Sequence, residues 1–133
     1  MKKMEKPVLS PEGEVIAAKI VDSAFAVHVE LGPGLLERVY EVCFCHELEK
    51  RGLTYKRQVS VPILYDSIQF DEGFRIDVLV ENFAICEIKA VERVHPVFQA
   101  QLMSYMKLTD KCLGFLLNFH VPLIKRGITR IVI

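Results

Sequence analysis

FRIDVLVENFAICEIKA, residues 74–90, is the stretch that decides the fold. It reads as two short strands joined by a tight turn at Glu81-Asn82-Phe83. Residue types alternate along each strand, and successive strand residues point to opposite faces of a sheet. One predicted face is apolar throughout and consists of Ile76, Val78, Val80, Ala84, Cys86 and Ile88. The other carries four charged groups and two large aliphatic ones, namely Arg75, Asp77, Leu79, Ile85, Glu87 and Lys89.

A hairpin centred on Asn82 arranges the charged residues in cross-strand pairs. Asp77 then lies opposite Glu87, and Arg75 lies opposite Lys89, with the Cβ atoms of cross-strand neighbours roughly 4.5–5.5 Å apart. Two partly buried carboxylates at that separation are costly unless a positive charge lies between them. A hard divalent cation together with Lys89 would supply that charge.

The alternating charges also have a plainer interpretation. They are typical of a solvated face, on which a ladder of ion pairs contributes about 0–1 kcal/mol per pair, and the alternation by itself favours this interpretation. Against it, Leu79 and Ile85 share the charged face and indicate that this face is covered at one end. A sheet covered on both sides, with its charges collected at one end, is how an α/β protein presents a site.

Length and composition predict one globular domain spanning residues 1–133, with a flexible lead over residues 1–9. The chain is 51% hydrophobic and 26% charged, which is ordinary for a globular protein. Its 17 Lys and Arg residues balance 17 Asp and Glu residues. The chain is therefore not a bulk polycation, so any nucleic-acid binding must come from a local patch.

The sequence predicts a cytoplasmic protein that does not associate with a membrane. The opening stretch MKKMEKPVLSPEGE has no apolar run behind its lysines, so we do not expect a signal peptide. No stretch approaches the roughly 18–20 apolar residues that a membrane span needs. The four cysteines, Cys43, Cys45, Cys86 and Cys112, form no Cys-x-x-Cys pair. We expect reduced, mostly buried thiols, with neither a disulfide framework nor an iron–sulfur cluster.

Two helices are predicted before the hairpin. Ser10-Pro11-Glu12 is a helix start, with Ser as the N-cap and Pro at the first position. The helix should run to about Leu31, after which Gly32-Pro33-Gly34 ends it. A second helix is predicted from about Leu35 to Arg51, closed by the left-handed cap Gly52.

The remaining elements complete an α/β fold. The predictions are a strand over 54–65 with Pro62 at an edge or bulge, a polar turn from Asp66 to Gly73, a helix from His95-Pro96 to about Leu108, a buried strand over 112–119 and an edge strand over 127–133. The helix between the hairpin and the buried strand permits a right-handed parallel crossover. The predicted fold is a mixed central sheet flanked by helices on both faces.

The run Leu31-Gly-Pro-Gly-Leu-Leu-Glu37-x-x-Tyr40 resembles the defining motif of the GxxExxY proteins. The resemblance continues, over about residues 12–133, through His46-Glu-Leu, Arg51-Gly52, Arg75-x-Asp77, Glu87-Ile88-Lys89, Gln101-x-x-x-Tyr105, Asn118-Phe119 and Gly127-Ile-x-Arg130. Each motif alone is weak, but their joint occurrence in this order is specific. That family is similar to the PD-(D/E)xK nuclease superfamily, which implies a restriction-endonuclease-like αβββαβ core.

The resemblance implies four catalytic residues. Asp77 stands for the superfamily's strand-two Asp, Glu87 for the acid of the ExK motif and Lys89 for its Lys. Glu37 matches the acid that the superfamily often places on its first core helix. The implied cofactor is Mg²⁺ or Mn²⁺, held by Asp77, Glu87, Glu37 and the backbone carbonyl of Ile88.

Further residues are implied to position the substrate. Gln101 and Tyr105 match the QxxxY motif of the RecB-like branch, while Tyr40, Glu41 and Arg75 are less certain matches. Helix packing explains Gln101 and Tyr105 nearly as well, and a core position is the plain explanation for Tyr40. Ile76 stands where the superfamily's name has proline, a position that varies within the superfamily. The cysteine spacing does not fit the iron–sulfur site of some RecB-like proteins.

The implied function is a metal-dependent nuclease that acts on DNA, with DNA repair or defence against foreign DNA as its settings. The alternative is a non-catalytic module that binds nucleic acid or protein on the same fold. A third interpretation, an oligomeric structural domain, requires a large apolar patch, for instance along Ile128–Ile133. The short chain predicts low sequence specificity, or specificity supplied by a homodimer or a partner protein.

Overall fold

The computed structural model describes residues 7–133, which form three α-helices and five strands, with a short 3₁₀ helix (Ile124–Gly127) before the last strand. In chain order they are α1 (Pro11–Leu31), α2 (Glu37–Lys50), β1 (Tyr55–Tyr65), β2 (Ile68–Val80), β3 (Ala84–Lys89), α3 (Pro96–Leu108), β4 (Leu113–Asn118) and β5 (Ile128–Val132). The predicted order of elements is confirmed. Most of the predicted flexible lead lies outside the described residues, whereas Leu9, also assigned to it, packs against the core.

The five strands form one mixed sheet in the order β1-β2-β3-β4-β5. β3 and β4 pair in parallel, and the other neighbours pair in antiparallel fashion. α3 makes the connection between the two parallel strands, as the sequence predicted. Every residue of β4 is buried, and β5 is an edge strand. These features confirm the predicted α/β, restriction-endonuclease-like architecture.

Each face of the sheet has its own hydrophobic core. One core joins α1 and α2 to the sheet and includes Tyr40, Phe44, Phe115 and Phe119. The other lies under α3 and includes Ile76, Leu79, Ile85, Leu102 and Met106. The sheet is therefore covered on both sides, as predicted. Within the described residues, no helix combines the length and apolar character that crossing a membrane requires.

Side-chain hydrogen bonds cap the starts of α1 and α3, and the cap of α1 is the predicted Ser10. Ser10 Oγ accepts a 3.1 Å hydrogen bond from the Gly13 N–H at the start of α1. His95 Nδ1 accepts a 3.0 Å hydrogen bond from the Val97 N–H at the start of α3. These bonds satisfy amide groups that have no partner inside the helix. Gly52, after α2, has the predicted left-handed conformation with φ of 74°.

The predicted polar turn from Asp66 to Gly73 is wrong. Only Asp66 and Ser67 turn, with φ of 54° and 61°, and β2 already begins at Ile68. The predicted bulge at Pro62 is confirmed by a register shift between Val61 and Ile63. β1 and β2 consequently form a long two-stranded ribbon whose end is exposed on both faces. The polar composition of the segment reflects this exposure and does not indicate a loop.

Tyr40 ties the connection between α1 and α2 to the core. Its side chain is fully buried, and its ring stacks on Phe119 with centroids 4.6 Å apart. The Tyr40 hydroxyl donates to the Gly32 carbonyl oxygen at 2.6 Å and accepts from the Leu35 N–H at 3.1 Å. These two bonds fix the Gly-Pro-Gly segment and hence the first turn of α2, where Glu37 lies.

We therefore expect Tyr40→Phe to lower the free energy of unfolding by about 1–2 kcal/mol, because both hydrogen bonds of the hydroxyl are lost. Urea unfolding measures the difference. Tyr65→Phe is the matched control, since Tyr65 is 71% exposed at the end of β1, and surface changes of this kind stay within about 0.5 kcal/mol. Equal effects of the two substitutions would contradict this role of Tyr40.

Candidate active site

The hairpin of β2 and β3 has the predicted register. Its paired residues are Val78 with Cys86, Leu79 with Ile85 and Val80 with Ala84. The turn residues Glu81 and Asn82 have φ of 54° and 48°, which is typical of a tight hairpin turn. One further step along this register brings Asp77 opposite Glu87.

At this position, hydrogen bonds between the two carboxyl groups and backbone amides take the place of the usual backbone–backbone hydrogen bonds between the strands. Glu87 Oε1 accepts from the Asp77 N–H at 3.4 Å, and Asp77 Oδ2 accepts from the Ile88 N–H at 2.9 Å. Each side chain thus reaches the backbone of the opposite strand. The two acidic residues interlock in the gap between β2 and β3, at the point where the strands separate.

Arg75 and Lys89 do not form the predicted cross-strand pair. The pairing of β2 with β3 ends before Arg75, and Lys89 lies beside Asn118 of β4. Arg75 lies near α2, where it lines a cavity with Glu37. The prediction that Arg75 shares a sheet face with Leu79 is therefore also wrong, because Leu79 lies in the core under α3.

Glu87 is a buried acid without a neutralising partner close by. Glu87 is only 7% exposed, whereas Asp77 is half-buried. Burial raises the pKa of Glu87 to about 9, and the charge of Asp77 and the hydrogen bond between the two carboxyls add to the increase. The Asp77 N–H and the charge of Lys89 oppose it. Glu87 therefore carries a proton at neutral pH in the metal-free protein.

This pair fits a hard divalent cation. Carboxylate oxygens are preferred ligands of Mg²⁺, which commonly binds through one or two carboxylates and completes its shell with water and phosphate. A cation between Asp77 and Glu87 would also replace the proton on Glu87. Within residues 7–133, however, no three His, Cys, Asp or Glu side chains come together as a metal-binding group. Three converging carboxylates, with Glu37 as a direct ligand, are thus not found.

Glu37 faces the site from the first turn of α2. It lines the same cavity of about 460 Å³ as Asp77. Partial burial raises the pKa of Glu37, the charge of Lys89 lowers it, and the charges of Asp77 and Glu41 raise it. Glu37 is therefore within electrostatic range of the predicted catalytic residues on β2 and β3.

Lys89 extends toward α3. Its Nζ lies 4.5 Å from the centroid of the Phe98 ring, in a cation–π contact. In the described part of the chain, no carboxylate oxygen lies within 4.0 Å of it. The segment after Lys89 is held by the buried Asn118, whose side chain bonds the Val91 N–H at 3.1 Å and the Val91 carbonyl at 2.9 Å. The backbone at Lys89 is thus fixed while its ammonium group is free of carboxylates.

Tyr105 reaches the site from α3, on the opposite side of the sheet from Glu37. Its ring stacks on Phe74, with centroids 4.1 Å apart and planes 1° from parallel. Burial raises the pKa of Tyr105, and the charges of Glu87 and Asp77 raise it further. Gln101 lies one helical turn earlier and is exposed. Tyr40, in contrast, is fully buried among core residues, so its side chain offers no surface for a substrate.

A polar cluster beside the site joins the buried Glu41 to two residues of β1, Arg57 and Gln58. Glu41 of α2 is 6% exposed, and its Oε2 accepts from Arg57 Nε at 2.9 Å and from Arg57 Nη2 at 2.7 Å. Its Oε1 accepts from Gln58 Nε2 at 2.7 Å. Glu41, Arg57 and Gln58 all line the cavity that contains Asp77. The sequence pointed to Glu41 through the family resemblance and through its spacing of four residues from Glu37, which places both on one helix face. Nothing in the sequence indicated the contact of Glu41 with Gln58.

The protonated Glu87 predicts how stability depends on pH. Its pKa is higher in the folded than in the unfolded state, where it is near 4.5. The contribution of Glu87 to stability is therefore greatest below pH 4.5 and falls as the pH rises toward 9. We expect Glu87→Gln to remove this slope, so that its advantage over the metal-free wild type grows by up to about 1.4 kcal/mol per pH unit.

Urea unfolding in EDTA at several pH values between 5 and 8 checks this expectation. Glu92→Gln is the matched control, because Glu92 is an exposed acid shortly after β3, and its profile should parallel that of the wild type. Parallel profiles for Glu87→Gln and the wild type would show that Glu87 is ionised in the folded protein.

Comparison with known proteins supports the architecture described above. A family model described as the PD-(D/E)XK nuclease superfamily matches residues 14–131. No curated protein matches the chain significantly. No solved structure does so either. The match covers nearly all of the sheet and of the three α-helices, and the chain therefore belongs to the PD-(D/E)XK nuclease superfamily.

Proposed function

We propose that this chain is a metal-dependent nuclease that hydrolyses phosphodiester bonds in DNA, with Mg²⁺ or Mn²⁺ as its cofactor. The observation that carries the proposal is the buried Glu87 interlocked with Asp77 where β2 and β3 separate. A buried acid with a strongly raised pKa is unfavourable for a purely structural role and is typical of functional sites.

Asp77 and Glu87 are the proposed cation ligands, together with the backbone carbonyl of Ile88. The bound metal would make its water more acidic and polarise a phosphoryl oxygen. Glu87 would give up its proton on binding the cation, because only the carboxylate is a ligand. Glu37, which lines the same cavity as Asp77, would act through water rather than as a direct ligand.

Lys89 is the proposed electrostatic catalyst. Its ammonium group has no carboxylate partner nearby, so it is available to orient the attacking water or to neutralise charge that develops on the phosphate. Its contact with the Phe98 ring is weak enough, at about 0.5–2 kcal/mol, to be exchanged for a phosphate oxygen. Tyr105, Gln101 and Arg75 position the substrate around this centre, and Tyr40 contributes indirectly by fixing the start of α2.

A local cluster of arginines supports nucleic acid as the substrate. Arg38, Arg57 and Arg75 come from α2, β1 and β2 and line the cavity that contains Asp77. Guanidinium groups suit phosphate oxygens, and contacts to the backbone fix the position of a nucleic acid without reading its sequence. Three acids, Glu37, Glu41 and Asp77, line the same cavity, so the arginines would make it a local basic patch once a divalent cation offsets those acids.

The alternative of a non-catalytic binding module needs the arginines but not a buried Glu87. An oligomeric structural domain that associates through β5 is less well supported, because Ile131 in the middle of that strand is only 8% exposed. DNA rather than RNA, a role in repair or defence, and specificity supplied by a homodimer or partner protein remain predictions.

The first test is metal binding and cleavage by Asp77→Ala and Glu87→Ala. Because each variant loses one of two carboxylate ligands, we expect Mn²⁺ and Mg²⁺ affinity to fall at least tenfold and DNA cleavage at least a hundredfold. Calorimetry measures the affinity, and single-stranded, duplex and branched DNA measure the cleavage.

Asp71→Ala and Glu92→Ala are the matched controls, since both acids are exposed and lie close in sequence to the site. They should bind metal and cleave DNA as the wild type does. Metal binding without cleavage of any DNA would favour a different substrate such as RNA. A folded wild type that binds neither cation, even with nucleic acid present, would leave the binding module as the function.

Lys89→Ala should separate metal binding from chemistry. Removing a positive charge beside the carboxylates leaves cation affinity equal or slightly higher, while the loss of transition-state stabilisation lowers cleavage about 10²–10³-fold. Calorimetry and single-turnover cleavage measure the two effects. Lys107→Ala, an exposed lysine on α3, is the control. A loss of metal affinity in Lys89→Ala would argue for a structural role of this lysine.

A further inference from the structure

The two faces of the β1–β2 ribbon change sides at Asp77. Side chains that alternate onto one face pack under α3 before this residue and under α1 and α2 after it. We call this change the exchange of faces. Phe74 and Ile76 pack in the core under α3, whereas Val78 and Val80 pack in the core under α1 and α2. Residues two apart in a regular strand lie on the same face. Ile76 and Val78 violate this rule, so β2 turns about its own axis at the residue between them. The prediction that Ile76 shares the apolar face of Val78 is therefore wrong.

The neighbouring strand makes the same exchange at Gln58. Tyr55 packs toward α1 and α2, whereas Val59 and Val61 pack toward α3. The strand register is continuous on either side, from Arg57 with Val78 to Val59 with Ile76. The pair between these two, Gln58 with Asp77, is missing from the ladder.

Gln58 has a backbone conformation that accounts for this exchange. Its φ is 52°, in the left-handed region, which costs a residue with a side chain roughly 1–2 kcal/mol. Such a conformation persists only where surrounding contacts enforce it. The enforcing contact here is the 2.7 Å hydrogen bond from Gln58 Nε2 to the buried Glu41, which Arg57 also binds.

The exchange of faces determines where the Asp77 carboxylate points. In a regular ribbon, Asp77 would pair with Gln58 and alternate with its neighbours. At the exchange it enters the gap beside β3, where Asp77 Oδ2 accepts from the Ile88 N–H at 2.9 Å. We propose that Gln58, held by Glu41, is a positioning residue that directs Asp77 to Glu87. Its catalytic meaning rests on the proposed function, but its structural effect does not.

Substitutions at Gln58 test this role through the backbone they allow. Glycine adopts the left-handed conformation freely, whereas β-branched valine strongly disfavours it. We expect Gln58→Val to accelerate hydrogen exchange of the Ile88 amide at least tenfold and Gln58→Gly to change it less than threefold, as measured by NMR without metal. The Leu116 amide in β4 reports global stability, so the acceleration at Ile88 is measured relative to any acceleration at Leu116. Ser60→Val, an exposed position two residues along β1, is the control and should leave Ile88 exchange unchanged.

Glu41→Gln provides a second variant should Gln58→Val fail to fold. It keeps the volume of the side chain and weakens the clamp, so Ile88 exchange should accelerate about three- to tenfold. Unchanged Ile88 exchange in a folded Gln58→Val or Glu41→Gln protein, or equal acceleration by valine and glycine, would overturn the proposal.

Mn²⁺ calorimetry tests whether the effect of Gln58 on Asp77 changes metal binding at the proposed site. Affinity should fall at least fivefold in Gln58→Val and stay within twofold of the wild type in Gln58→Gly, because glycine restores the position of Asp77. Equal Mn²⁺ affinities in the valine variant and the wild type would overturn the link between Gln58 and the site. If the wild type binds no Mn²⁺, the proposed function fails, and Ile88 exchange alone still decides whether Gln58 positions Asp77.

Discussion

The carboxyl groups of Asp77 and Glu87 share one gap between β2 and β3, and the surrounding elements keep them close together. Glu87 is buried beside Asp77 without a close cation, so the metal-free protein keeps a proton on it. Desolvation and like charge both oppose ionisation. α2 and its cavity lie on one side of the pair and α3 with Tyr105 on the other, which limits access of water to Glu87. A sheet selected for stability alone would place an apolar residue at this position.

The topology explains why the pair lies where it does. β3 and β4 are parallel, and Glu87 and Lys89 occupy the carboxyl-terminal half of β3, where open α/β sheets commonly bind ligands. β2 runs antiparallel to β3 and leaves it at Asp77, which opens a crevice beside those residues. Asn118, at the end of β4, secures the chain just after Lys89. The direction of the strands, the separation of β2 from β3 and the hydrogen bonds of Asn118 thus together place Asp77, Glu87 and Lys89 at one edge of the sheet.

Local patterns in the sequence were sufficient to predict most of the fold. The alternation on either side of Asn82 predicted the register that brings Asp77 opposite Glu87, because a turn and two alternating strands leave few registers open. Ser10 and Pro11 likewise predicted the start of α1. β2 was predicted too short because its first residues are exposed on both faces of the ribbon. Such residues show no alternation of polar and apolar types, which is the pattern that marks a half-buried strand. Nothing in a single sequence marks a glutamine as left-handed, so the exchange of faces at Gln58, and the place of Arg75 that follows from it, could not be predicted.

The charges around the cavity link cation and substrate binding. Arg38, Arg57 and Arg75 are matched there by three acids, Glu37, Glu41 and Asp77. Glu41 is occupied with Arg57, so the arginines of α2 and β2 balance the charges of Asp77 and Glu37. Under the proposed function, a divalent cation on Asp77 would give this balanced cavity a net positive charge. The cavity would then attract a phosphate backbone more strongly with the metal bound than without it, because attraction between a polyanion and a site depends on the net charge of that site. On this proposal, an acidic pair that is costly to the free protein would make nucleic-acid binding depend on the presence of the cation.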